Sequence, residues 1–158
     1  MNKEHKYSIT TKWNGNKGTG TSGLKAYERS HTVSNAGKPD LFLTTDNPHV
    51  GDKSKLNPED LLVTAVSSCH MLSYLYVCAL EGIVVTDYVD HAYGIMQEHE
   101  SGGGQFEHVT LCPEVIVAEE SMIEKAIDLH HKAHEICYIA NSVNFPVYTN
   151  AICKTTDR

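Results

Sequence analysis

Residues 63–82 are VTAVSSCHMLSYLYVCALEG, and no lysine, arginine or carboxylate interrupts them before Glu81. Cys69 and His70 stand in the middle of this run. A cysteine in such a setting can be core packing, a metal ligand or a reactive thiol. Free cysteine is among the most buried residue types and behaves as a small hydrophobe, which is the plain reading of Cys78, Cys112 and Cys153. Cys69 has less ordinary surroundings. At helical spacing it shares a face with Ala65, Val66, Leu72 and Ser73, and the small residues at 65, 67 and 68 leave room beside the sulfur. The thiolate is the reactive form, and it needs a nearby cation or hydrogen-bond donor to be populated at neutral pH. His70 is a poor intrahelical base for it, because adjacent helix residues point about 100° apart. A core or interface position suits His70 better.

A metal is the other chemistry to weigh. The stretch LHHKAHEIC holds His130, His131, His134 and Cys137. His130 and His134 stand at i and i+4, one face of a helix, as some zinc sites require, with Cys137 as a third ligand three positions on. The order His-Glu-x-x-His is missing, since Glu135 follows the second histidine. A solvated, His-rich helix face is the plain alternative, and zinc held by Cys69, Cys137 and a histidine stays open.

The whole chain bounds these options. Its 158 residues, 41% hydrophobic and 21% charged, suffice for one domain over residues 1–158 with a substantial core. A net charge of -7 repels nucleic acid and anionic membranes, so neither is an expected partner. Five scattered cysteines form an odd set, and the opening MNKEHKYSITTKW has no apolar run of the kind a secretory signal needs. A cytoplasmic protein with thiols reduced at rest is therefore expected. The 20 residues Leu61 to Leu80 match a bilayer span in length. Thr64, Ser67, Ser68, His70 and Ser73 are costly in lipid, and no basic cluster flanks the run. The centre of a soluble core or a dimer interface is the better expectation.

Several elements must position these residues. Residues 5–13 and 24–33 alternate as strands around the turn NGNKGTGTSG, and LFLTT is a short third strand. Asn57 as N-cap, Pro58 in the first turn, and Glu59 with Asp60 at the positive end open a helix that Gly82 closes. About 25 residues of helix would run nearly 38 Å, long enough to reach beyond one small domain to a second subunit. Two β-rich stretches around SGGGQ form a long hairpin, with Pro113 marking an edge or bulge. A second helix starts at Ser121 as N-cap, with Glu124 in the capping-box position, and ends near His134 or Glu135. A turn or short helix at ICYIANSV and a closing strand at FPVYTNAIC complete the chain. The mixture of hairpins and helices indicates an α+β domain.

The segment NPEDLLVTAVSSCHML resembles the signature helix of the OsmC/Ohr family, the osmotically inducible protein C and organic hydroperoxide resistance proteins. Asn57, Pro58 and Glu59 match its Asn-Pro-Glu start, and Cys69 follows ten residues after the Glu. Cys137 stands where the family carries its second cysteine, after the second helix. The resemblance covers nearly the whole chain. It implies antiparallel sheets around long central helices, in an intertwined homodimer with active sites at the subunit interface. It also implies a thiol peroxidase in which Cys69 attacks an organic hydroperoxide and becomes a sulfenic acid. Cys137 then resolves this as a disulfide that an external dithiol reduces, with no bound cofactor or metal.

Family members that reduce organic hydroperoxides also carry an arginine in the N-terminal hairpin, to lower the cysteine pKa and polarise the peroxide. Of the two arginines, Arg29 lies 40 positions before Cys69, and Arg158 ends the chain. Arg29 in YERSH is the candidate, and the resemblance implies that Glu59 holds it in a bidentate pair. His31 shares the strand face of Arg29. The sequence departs from the best-known members in having CHML where Cys-Phe is commoner, and in YERSH itself. A ligand-binding protein without catalysis on the same fold, and a metal site, are the alternative functions.

Overall fold

The structure, a computed structural model, describes residues 3–156. The chain divides into two compact units, one ending at Leu61 and the other beginning at Leu62.

The first unit is a three-stranded antiparallel sheet of β1 (Thr10–Trp13), β2 (His31–Ser34) and β3 (Leu41–Leu43), in the order β1-β2-β3. The strands are shorter than the alternation at 5–13 and 24–33 predicts. The reason lies in the connection. The Asn16 Oδ1 accepts from the N–H groups of Gly18 and Gly20, at 2.8 and 3.0 Å, and so folds the chain into local turns instead of a ladder. The hairpin resumes at Glu28, whose N–H meets the Gly15 carbonyl at 2.8 Å. A side chain at Gly15 would collide with the Glu28 backbone.

The long helix α1 is Pro58–Leu80, 23 residues, close to the predicted span. Its start is a reciprocal cap. The Asn57 Oδ1 accepts from the Asp60 N–H at 2.8 Å, while the Asp60 carboxylate accepts from the Asn57 N–H at 3.1 Å. Asn57→Ala is expected to lower stability by about 1 kcal/mol, read from the urea midpoint at unchanged slope. The helix stops at Gly82, whose φ of +72° suits glycine, and the Ile83 N–H returns to the Cys78 carbonyl at 2.9 Å. By length and composition alone α1 could cross a membrane. Its buried residues Val66, His70, Tyr74, Val77 and Cys78 nevertheless form one stripe at helical spacing that packs within the second unit.

The expected long hairpin is present but broken in the middle. It gives β4 (Val85–Asp90), β5 (Tyr93–Glu98), β6 (Gly104–Leu111) and β7 (Pro113–Val117). The break has a chemical cause. The Asp90 Oδ1 accepts the Cys112 N–H at 2.7 Å, and Pro113 has no N–H to offer. The closing segment also divides, into β8 (Val147–Thr149) and β9 (Ile152–Thr155), with the Asn150 N–H between them bonded to the Leu111 carbonyl at 2.8 Å. Two three-stranded sheets result, β4-β7-β9 and β5-β6-β8, each with one antiparallel and one parallel pair.

The second helix, α2, is Ile123–Ile136. Ser121 is not its N-cap, contrary to expectation. A single 3-10 turn, Glu120–Met122, precedes α2, and the Ser121 hydroxyl turns back to the Glu119 carboxylate at 3.4 Å. The fold is α+β, as the sequence indicates. The C-terminal half of α1 packs through Tyr74, Val77 and Cys78 on Val115 and Val117 of β7 and on Ala126, Leu129 and Ala133 of α2. Nearer its start, Val66 packs on Val109 and Leu111 of β6.

Candidate functional site

Cys69 lies in mid-α1, half-buried, and Cys137 is the buried C-cap of α2. The fold brings the two near each other, and both are free thiols, with Cys69 close enough to raise the Cys137 thiol. Burial pushes the Cys137 thiol up to about 11. The Ala140 N–H beside the sulfur works against that rise, the neighbouring Cys69 thiol adds to it, and the Ile139 N–H opposes it again. These two amides come from the turn leading into a short 3-10 helix at Ala140–Ser142. They point donors at the place where charge would develop on a Cys137 thiolate.

His70 does not act on Cys69. It points into the core, where its Nε2 lies 3.0 Å from the Nδ1 of His130 in a hydrogen bond between two buried imidazoles. The rings are nearly coplanar in orientation, 6° apart, and His130 in turn stacks on Tyr74 with centroids 3.9 Å apart. The Tyr74 hydroxyl donates to the Ala126 carbonyl of α2 at 3.0 Å. Burial drives both imidazoles toward the neutral form. His70 is pushed down to about 4, first by burial and then by His134, against an opposing pull from Asp90. His130 is pushed down to about 3 by burial and then by His70.

The expected solvated histidine face is thereby corrected for His130, which is only 5% exposed. His131 does face solvent and meets Glu135 at 3.2 Å. Among the described residues, no three His, Cys, Asp or Glu side chains are grouped to hold a metal. The zinc set of His130, His134 and Cys137 is not assembled, because His130 turns to His70. The signal for the histidine pair lay in the helical spacing Val66-His70-Tyr74-Cys78 and Ala126-Leu129-His130-Ala133.

Arg29 and Glu59 belong to the first unit and line one cavity of about 470 Å³, together with Trp13, Tyr27 and His31. They do not form the bidentate pair that the resemblance implies. The Arg29 Nη1 donates to the carbonyls of Leu24 and Tyr27, both at 2.8 Å, and the guanidinium lies 4.0 Å over the Tyr27 ring. Local acceptors and an aromatic face thus hold the cation where a carboxylate was expected. Arg158 lies outside the described residues.

Two adjacent thiols, one within a long apolar helix and one capping a second, define a dithiol protein of mixed α+β architecture. The profile of the family described as OsmC-like protein matches residues 51–150. The chain belongs to that family. Its structure superposes on an OsmC-like protein of unknown function from Vibrio cholerae with a TM-score of 0.83 and 29% identity, covering 94% of this chain and all of the other (100%). An organic hydroperoxide resistance protein from Elizabethkingia anophelis matches with a TM-score of 0.68 at 21% identity over 98% of this chain and 100% of that one. The organic hydroperoxide resistance protein OhrB of Bacillus subtilis matches at 0.62 and 20% identity over 94% and 98%. No curated protein matches the chain.

Proposed function

We propose that this chain is a cysteine-based peroxidase that reduces organic hydroperoxides in oxidative stress defence. The observation that carries the reading is the adjacency of Cys69 and Cys137. Family membership supports it, as do the organic hydroperoxide resistance proteins among the structural matches. The Cys69 thiolate attacks the terminal peroxide oxygen, the O–O bond breaks, and the alkoxide leaves and takes a proton as alcohol. Cys69 is then a sulfenic acid. The Cys137 thiolate attacks that sulfur, the S–S bond forms, and hydroxide departs and is protonated to water. An external dithiol returns the pair to thiols by exchange. Arg29 is the cation proposed for the peroxide, and Glu59 is proposed as the acid lining the same cavity.

A homodimer and a cytoplasmic location belong to the same proposal. Leu72, Tyr76 and Leu80 form an apolar stripe on α1 that is 64%, 60% and 66% exposed, the kind of patch that a second subunit covers. Reduced protein treated with one equivalent of cumene hydroperoxide should yield a peptide linking Cys69 to Cys137 in mass mapping. Recovery of both thiols unmodified would reject the reading. A binding function without turnover finds its support in the aromatic cavity of the first unit, which falls within the size range of small-molecule sites. Slow peroxide consumption, with an apolar molecule co-purifying, would favour it.

A further inference from the structure

The buried histidine pair has no place in the chemistry above, yet it joins the helices that carry both thiols. His70 follows Cys69 on α1, and His130 lies seven positions before Cys137, the residue that ends α2. In the buried contact between these helices the described side chains make two polar links, the His70–His130 bond and the Tyr74 bond to the Ala126 carbonyl, while at the exposed end Glu81, just past α1, pairs with Lys125 and Lys132 of α2. The stack of His130 on Tyr74 ties the two buried links into one unit.

As packing alone, the pair is a poor solution. The Nδ1 of His70 and the Nε2 of His130 are buried and have no protein partner among the described residues. Among the described residues each ring bonds only to the other. A buried polar group that lacks a partner is destabilising, and apolar side chains of similar shape would remove that cost. What the pair adds, and apolar side chains would not, is a directional bond. It fixes the rotation and spacing of α1 against α2 at one point. Disulfide formation is demanding in this respect, since the two Cα atoms must come within about 7 Å with their Cβ vectors convergent.

We infer that His70 and His130 are positioning residues for the dithiol: their mutual hydrogen bond latches α1 to α2 in the register that lets Cys137 reach Cys69. The inference rests on the proposed pairing of these cysteines, and not on peroxide being the oxidant.

The test is the equilibrium of the Cys69–Cys137 couple in dithiothreitol buffers of graded potential, read by alkylation and mass mapping. His130→Phe keeps a flat ring against Tyr74 but removes the nitrogen that meets His70. It should shift the equilibrium at least ten-fold toward the dithiol, about 30 mV for a two-electron couple. His130→Asn places a side-chain amide near the lost Nδ1 and should stay within about three-fold of the parent. A parent-like equilibrium in His130→Phe, or an equal loss in His130→Asn, would overturn the inference. Near-UV circular dichroism confirms folding first. Should His130→Phe not fold, the smaller His130→Leu carries the same expectation.

Two further results separate this inference from the peroxidase reading. Parent protein that forms the disulfide in these buffers, but shows no dimedone-trapped Cys69 after cumene hydroperoxide, would remove the peroxidase and leave the latch. Parent protein that forms no Cys69–Cys137 disulfide at any potential would remove the latch.

Discussion

Cys69→Ser should lower cumene hydroperoxide consumption by at least about a thousand-fold, with the fold unchanged. A hydroxyl in place of the thiol is hardly ionised at neutral pH, and catalysis by a nucleophile disappears with the nucleophile. The substitution is close in size, and Cys69 is only half-buried, so the core formed by Tyr74, Val115 and Leu129 stays intact. Cys137→Ser should fail differently. The first equivalent of peroxide is still consumed, and Cys69 then stalls as sulfenic acid, captured by dimedone and converted by excess peroxide to sulfinic acid. Peroxide consumption, dimedone labelling and intact mass read the two variants apart. Full turnover in Cys69→Ser would end the peroxidase reading, whatever Cys137 does.

The parts legible in the sequence were those fixed by local chemistry. Asn57, Pro58 and Asp60 announce a helix start because their side chains and ring geometry meet orphan N–H groups within one turn. Gly82 announces its end because few other residues accept the φ found there. Cys69 and Cys137 emerged from a resemblance, and the fold places them together. What was not legible depends on partners far apart in the chain. Asp90 breaks a hairpin by accepting an amide 22 residues away, and no local pattern announces that bond. Ser121 has the composition of a cap, but a 3-10 turn intervenes. Arg29 chose backbone carbonyls within five residues over the carboxylate of Glu59. The histidine pair was half-visible. Each ring lies on an apolar helical stripe, but only the packing of α1 on α2 makes the two stripes meet.

That meeting also predicts how the protein responds to acid. In an unfolded chain the two imidazoles titrate near their ordinary 6.5, whereas in the folded state His70 is held down to about 4 and His130 to about 3. Between those limits the unfolded chain binds protons that the native state refuses, so stability falls as pH falls below 6.5. The loss grows until the folded-state values are reached. The His70 displacement alone, from 6.5 to about 4, corresponds to about 3 kcal/mol at about 1.36 kcal/mol per pH unit. His130 adds a share of its own, because the unfolded chain binds a proton on each ring while in the folded pair a first proton makes a second harder to bind. Carboxylates also titrate in acid, and a comparison removes their contribution. Urea unfolding at pH 7 and pH 4.5 should show the parent losing about 5 kcal/mol more than the double variant His70→Leu, His130→Phe, because each ring contributes about two pH units at about 1.36 kcal/mol per unit and the variant's profile keeps the carboxylates but not these two imidazoles. Equal losses in the two proteins would mean that the rings accept protons in the folded state as readily as in the unfolded one. The stacked, mutually bonded pair would then not be the sealed neutral unit that its burial implies.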